Sequence, residues 1–361
     1  MTVKTITTLN QEIEDFLRER GAIRVGFATL ETLVGGPPST DLTYVLPEAK
    51  SAISFAIPLD REIIRAFLAK KKWFEAEADD IAVNKKSAEL GKALAEWLQE
   101  KGFKAFAPKE NNNIYRTELK GWKREMYPDL SHRYIAVRSG VGSFGWSGNV
   151  GIKDYGTAIL LNTVVTDAEL EPTDAIPPNE TFCSECKLCV AACCAGFFDA
   201  KEKTLITMGG KPFSYSRRND KFRCQLVCGG FSGLNRSGKW STWSPGRFKI
   251  PEEEDPDALV KVLADAALKY MSWPDREPAG GFRHPLMANK NLRLTCGMCQ
   301  KVCFGNKEEN RKNYELLINS GCVIQQPDGE IRVLPPEEAQ KVFDEFPRKH
   351  RKLYTQSRRE N

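Results

Sequence analysis

The sequence has no long apolar run. Nothing in it approaches the roughly 18 uncharged residues that a membrane-crossing helix requires, so no membrane partner is expected. The opening stretch, "MTVKTITTLNQEIEDF", is acidic and amphipathic and lacks the apolar segment of a secretory signal. Together these absences predict a cytoplasmic protein. Histidine is scarce, with three in 361 residues, and His132 and His284 are read as structural rather than as metal ligands. A solenoid-type repeat is missing too. Charge is close to balance at a net +5. The marked bias is the stretch from Arg348 to Arg359, "RKHRKLYTQSRR", expected to be a solvated, partly disordered tail.

Cysteine is what the sequence has in excess: eleven, an odd number. In a reducing compartment, clustered thiols signal metal or redox chemistry rather than disulfides. Cys183, Cys186, Cys189 and Cys193 follow the C-x2-C-x2-C-x3-C spacing of bacterial ferredoxins. Two-residue gaps let one tight loop aim three sulfurs at three irons of a cube. The fourth cysteine, a turn further on, points to a second cube. A second run, Cys296, Cys299 and Cys303, has C-x2-C-x3-C. Two four-iron clusters ask for about eight thiolates, and the runs supply seven. By the crossing rule, Cys183, Cys186, Cys189 and Cys303 hold one cluster, and Cys193, Cys296 and Cys299 hold the other. Its last ligand is assigned to Cys224, with Cys228 as the alternative. Cys194 and Cys322 are read as small packed hydrophobes. A zinc site closes with four ligands, whereas seven cysteines here fall in ferredoxin register. Iron–sulfur clusters are therefore preferred to a zinc-stabilised nucleic-acid-binding module.

Ahead of the cysteines, helical and strand patterns alternate, which predicts an α/β layer structure over 1–175. Leu9, Ile13, Phe16 and Leu17 mark one helix, and Leu90, Leu94, Trp97 and Leu98 another. "AIRVGFATL", "KSAISFAIPL", "FKAFAP" and "TAILLNTVVT" read as strands, the last a central one. The proline-rich "EPTDAIPPNE" is a linker, and 176–330 forms the cysteine domain. One helix stands out there, Leu259–Tyr270. Residues 331–361 are read as the basic tail. "SGLNRSGKWSTWSPGRF", with Arg236, Trp240, Trp243 and Arg247, is either a cofactor or partner surface or a packed loop.

The α/β region, the four-cysteine run, the lone Cys224 and the final C-x2-C-x3-C resemble the cobalamin-dependent epoxyqueuosine reductases and reductive dehalogenases. "RYIAVRSGVGSFGWSGNVG" is similar to that family's glycine segment, with Arg138, Gly140, Gly142 and Gly145 at matching places. The resemblance covers about residues 20–306. It implies a fold class of α/β (α+β) type, a nitroreductase-like core joined to a ferredoxin-like double-cluster domain. It implies a reductase that passes electrons from two four-iron four-sulfur clusters to cobalamin and on to an organic substrate. Arg138, Gly140, Gly142 and Gly145 would then face the cofactor. A clean dinucleotide fingerprint is not present, because the glycines lead into a strand rather than a helix.

The chain departs from the family at several places. The family's acidic proton donor, about fourteen residues before the glycine aligned with Gly140, falls on Met126. Tyr127 and Asp129, close by, are the catalytic candidates, although "YPD" is also turn chemistry. Trp146 replaces the family's lysine. "FGN" follows Cys303 where the family has proline, tryptophan and asparagine. The helical repeats that bind transfer RNA are not evident, so nucleic acid is not an expected partner. The expected substrate is a small molecule or a modified nucleoside, and the expected electron donor a ferredoxin or flavodoxin. The competing function is an electron-transfer protein that reduces a partner enzyme or its corrinoid.

Overall fold

Alternation along the strand Ser51–Pro58 decides the centre of the fold. Ile53, Phe55 and Ile57 point to one face, and the small residues Ala52, Ser54 and Ala56 to the other. Both faces are buried, so both must be covered. The computed structural model, which describes residues 3–108, 116–251, 255–274, 282–283 and 291–356, covers them with helices. Helices Val3–Glu19 and Phe74–Glu100 lie on the large-residue face. Ile13, Leu17, Leu90, Leu94 and Leu98 there meet Phe27, Ile53, Phe55 and Val164 in one core. Each such side chain, fully buried, contributes about 1.5–3 kcal/mol of transfer free energy. Helix His132–Arg138 sits on the other face, where small strand residues let it come close. Its Ile135 packs with Ala28, Ala52 and Val165, and its Ala136 and Val137 with Ala56.

The sheet itself runs Arg24–Thr29, Ser51–Pro58, Ile159–Thr166, Ala105–Phe106, with every neighbouring pair antiparallel. Phe27 pairs with Ile53, and Ile53 with Val164. The four strands expected from the sequence are all present, and "TAILLNTVVT" is an interior strand as expected. The result is a mixed α/β architecture of helix, sheet and helix.

The cysteine-bearing half is fastened to this sheet through a shared core. Ile64, Phe67 and Leu68 of helix Arg61–Leu68 pack with Cys194, Phe197, Trp240, Trp243, Phe304 and Val323. Trp243 Nε1 donates to Phe67 O at 3.0 Å, and Trp73 Nε1 to Leu294 O at 2.7 Å. Lys301, almost fully buried, is paired with Asp80 at 2.8 Å. Trp240 and Trp243 are buried, so of the two readings of their loop the packed one holds. Cys194 and Cys322 are buried among apolar neighbours, as expected.

Two features lay outside the sequence reading. Strands Phe198–Met208 and Lys211–Arg218 form an antiparallel hairpin. Gly209 and Gly210 make its turn, at φ 55° and 73°, the positive values that a tight hairpin turn needs and glycine supplies. As far as Gln356 the carboxy-terminal stretch is folded, with Arg348, Lys349 and Lys352 exposed on it, which corrects the disorder expected there; Arg358 and Arg359 lie outside the described residues. Cys322–Gln325 pairs with Ile331–Leu334, and helices Pro336–Glu345 and Arg348–Arg351 follow. Phe343, Phe346 and Tyr354, spaced between the basic residues, enter a core with Phe248, Leu263 and Trp273. His350 Nε2 lies 2.8 Å from Gln325 O. Burial of these apolar groups outweighs the solvation of the charges beside them. Among the described residues no helix is long and apolar enough to cross a membrane.

Candidate functional site

The thiols come together in two groups. A short helix within each run, Leu188–Ala191 and Met298–Lys301, turns the chain between successive cysteines. Cys183, Cys186 and Cys189 line one small cavity with Cys303, which belongs to the other run. Cys303 is held in place by its carbonyl, which accepts from Thr157 N at 2.9 Å. The second group gathers Cys193, Cys224, Cys228, Cys296 and Cys299. Cys224 Sγ and Cys228 Sγ are 3.4 Å apart, one helical turn from each other on Lys221–Cys228. Cys193 and Cys299 have Cys224 and Cys296 as neighbours, and Cys228 is hydrogen-bonded with Cys224 and Cys296.

Polar hydrogens are aimed at the sulfurs. Trp146 N donates to Cys183 Sγ at 3.3 Å, and Phe197 N to Cys193 Sγ at 3.5 Å. Asn149 Nδ2 reaches Cys299 Sγ at 3.6 Å, and Asn310 Nδ2 reaches Cys186 Sγ at 3.8 Å. Asn310 is fixed in turn, its Oδ1 accepting from Phe304 N at 2.6 Å. Donors directed at sulfur stabilise thiolate and set the potential of an iron–sulfur cluster. Nothing in the spacing of the sequence pointed to Asn149 or Asn310, since an isolated asparagine carries no periodic or motif signal.

Without metal, burial raises Cys183, Cys189, Cys193, Cys299 and Cys303 and keeps their protons on them. Burial pushes Cys189 up to about 11 and Cys193 and Cys303 up to about 12. Cys228 is raised, first by its hydrogen bond with Cys224. Cys296, hydrogen-bonded by Cys228, falls to about 7. Binding metal at these groups therefore releases protons. Among the described residues no group of three or more His, Cys, Asp or Glu side chains could hold a metal ion. A cube asks for a different arrangement, because each thiolate takes its own iron. The donor set, thiols with directed N–H groups, fits that chemistry.

Two open cavities flank the thiol groups. One, about 700 Å3, is bordered by Gly142, Phe144, Gly145, Trp146, Cys183 and Tyr215. The other, about 740 Å3, is bordered by Tyr127, His132, Arg133, Tyr215, Arg218 and Cys224. Both fall in the size range of ligand cavities. Tyr215 stands in both walls, and its hydroxyl is 2.9 Å from that of Tyr134.

The catalytic candidates fall unequally. Tyr127 lines the larger cavity, and burial raises its hydroxyl above the usual range. Asp129 is not in that wall. Its Oδ1 is buried without a hydrogen-bond partner, and burial raises its carboxyl. Met126, at the family's acid position, has φ 46°, and Gln225 Nε2 approaches its sulfur at 3.7 Å. His132 Nδ1 lies 2.9 Å from Thr163 Oγ1 inside the core, and burial lowers its imidazole to about 4. His284 lies outside the described residues.

The glycine segment serves partly its own chain. A Cβ on Gly140, at φ +71°, would lie 2.1 Å from Asp174 O, and one on Gly142 would lie 2.6 Å from Gly151 O. Gly142 and Gly145 also border the 700 Å3 cavity, while Gly140 and Arg138 do not. Arg138 is buried, with Nη1 3.5 Å from Thr173 O. Trp146 packs its ring under Lys187 and Lys203.

A mixed α/β protein with two thiol groups drawn from two crossed cysteine runs is thus the class that fold and site define. The chain is similar to epoxyqueuosine reductases, in line with the resemblance read from its motifs. Over 83 residues it is 31% identical to the epoxyqueuosine reductase of Synechocystis sp., a match that takes in 20% of this chain and 28% of that protein. The chain thus matches less than a third of its curated relative. No protein-family profile matches. Among solved structures, the epoxyqueuosine reductase of Bacillus subtilis is 17% identical, over 97% of this chain and 76% of that one, with a TM-score of 0.43. A reductive dehalogenase described as B12-dependent is 15% identical, over 71% and 36%, with a TM-score of 0.45.

Proposed function

We propose that the chain is an iron–sulfur oxidoreductase, a cobalamin-dependent reductase acting on an organic substrate. The observation that carries this reading is the crossing of the two cysteine runs, with Cys303 joining the first run's cavity and Cys193 the second run's group. Cys183, Cys186, Cys189 and Cys303 would hold one four-iron cluster. Cys193, Cys224, Cys296 and Cys299 would hold the other, with Cys228 beside Cys224 and Cys296. Residues 1–175 supply a nitroreductase-like core and residues 176–330 a ferredoxin-like cluster domain. An external donor such as ferredoxin or flavodoxin loads the clusters.

The 740 Å3 cavity is the reaction space in this reading, because Cys224 forms part of its wall. Cobalamin, when bound, supplies a strongly reducing metal centre for the substrate. The fit of this chain to cobalamin rests on space and on the glycine-segment backbone. Tyr127 Oη holds a proton at the cavity wall at neutral pH, and its raised affinity for that proton keeps it available as an acid. Gly142 and Gly145 form part of the wall of the second, 700 Å3 cavity, with Arg138 and Gly140 supporting that segment from behind. A small organic molecule or a modified nucleoside is the substrate class.

The test is metal analysis and cobalamin titration on one anaerobic preparation. About eight irons per chain are expected, together with a shift in the visible spectrum of added cobalamin. Iron without cobalamin binding would favour the electron-transfer protein. One zinc and no iron would remove the reading altogether. Cys224→Ala should lose one cluster and Cys228→Ala should retain both.

A further inference from the structure

The 740 Å3 cavity is lopsided in charge. Arg124, Arg133, Arg218 and Lys221 border it, and Glu125 and Asp220 are the acids in its wall. Asp220 is engaged by its own helix, where Oδ1 accepts from Phe222 N at 2.8 Å. Glu125 Oε2 stands 3.2 Å from Lys221 Nζ. Among the described residues no carboxylate is paired with either guanidinium group. Arg133 Nη1 donates to Gly148 O at 2.7 Å, and Arg218 Nη2 donates to Ser147 O at 3.0 Å. Both acceptors are neutral carbonyls. Arg218 Nε is buried with no hydrogen-bond partner among the described residues.

Two like charges share this space at a cost. Burial, and then the neighbouring Arg133, pull Arg218 down to about 10. An unpaired buried cation is expensive unless something neutralises it. Planar guanidinium forks match the two oxygens of a carboxylate or the face of a phosphate. The rings of Tyr215 and Phe197 lie 5.1 and 5.7 Å from the Arg218 guanidinium carbon, and the ring of Tyr134 lies 5.5 Å from that of Arg133. These rings hold the forks in place and offer apolar surface for an organic body.

We propose that this cavity binds a small organic oxyanion, a carboxylate or a phosphate ester, clamped by Arg133 and Arg218. The inference names the substrate class of the site proposed above and takes its catalytic meaning from that reading. Anion binding itself does not depend on it.

The experiment is calorimetric titration of the anaerobic full-length protein, in low-salt buffer, with inorganic phosphate and separately with benzoate. At least one should bind with Kd near or below about 1 mM. Arg133→Gln and Arg218→Gln should each weaken that binding by roughly tenfold or more. Arg311→Gln, on an exposed helix, should leave it unchanged. Arg133→Lys, which keeps the charge and loses the fork, should fall between Arg133→Gln and the parent chain, and its melting temperature checks that it is folded. Tighter binding of benzoate assigns a carboxylate, and of phosphate a phosphate ester. No heat with either probe at about 10 mM, or equal affinity in both glutamine variants, overturns the proposal. So does phosphate binding that saturating cobalamin abolishes, which would give the clamp to the cofactor's own phosphate. If anions bind and cobalamin does not, the cobalamin reading fails while this one stands.

Discussion

Replacing Cys303 with alanine should empty the cavity bordered by the first cysteine run and spare the group that contains Cys296 and Cys299, its own neighbours in sequence. Cys303 shares its cavity with Cys183, Cys186 and Cys189. Its carbonyl, not its sulfur, carries the backbone bond from Thr157, so the fold around it survives. Deleting one half-buried sulfur costs about 1 kcal/mol, against a stability of about 5–15 kcal/mol for an ordinary domain. The loss should therefore appear in metal content. Anaerobic Cys303→Ala is expected to carry about four irons where the parent chain carries about eight. Pairing the variant with others tells which cluster went. Cys183→Ala with Cys303→Ala should still hold about four irons, since both changes strike one site. Cys296→Ala with Cys303→Ala should hold close to none. The reverse pattern, with the Cys183 pair losing all iron and the Cys296 pair keeping half, would refute the crossed arrangement.

Three further outcomes follow from the same structure. His132 is buried and neutral, with its pKa lowered to about 4. The unfolded chain, titrating near 6.5, binds the extra proton first. Stability is therefore full above about pH 6.5 and falls toward pH 4, by on the order of 2 kcal/mol at pH 5. Urea unfolding at pH 7 and pH 5 measures it, and a His132→Gln variant with the same slope would exclude this residue as the cause. Gly140→Ala places a Cβ against Asp174 O at a positive φ. It should cost about 3 kcal/mol or more, and an unchanged melting temperature would show that the loop gives way. Tyr354, 1% exposed, packs on Trp273 at a ring distance of 4.6 Å. Its replacement by alanine should cost about 3–5 kcal/mol, whereas a freely solvated tail would make the change silent in a melt.

The sheet half was legible because its signals are local. Ile53, Phe55 and Ile57 alternate with small residues, and Leu90, Leu94 and Leu98 recur at helical spacing. Cysteine spacing likewise predicted a crossed grouping, and Cys303 borders the cavity of the first run. What stayed hidden depends on partners distant in sequence. The hairpin that brings Tyr215 and Arg218 to the cavity is mostly exposed along its first strand, so it lacks the apolar alternation of a buried strand. Gly209 and Gly210 were its one available cue. Phe343, Phe346 and Tyr354 are scattered among lysines and arginines, and composition outweighed them. The choice between Cys224 and Cys228 rests on which face of one helix turns toward Cys193, a matter of tertiary packing.

The interlocking of the two cysteine runs has a bearing on biosynthesis. In the proposed grouping the first thiol set is not whole until Cys303 has been made, and the second not until Cys299, because each borrows from a segment about a hundred residues away. Either site can therefore be filled only after the carboxy-terminal cysteine run has emerged. A chain stalled anywhere before that point would present unfilled sulfurs to the cell's iron carriers and to its oxidants alike.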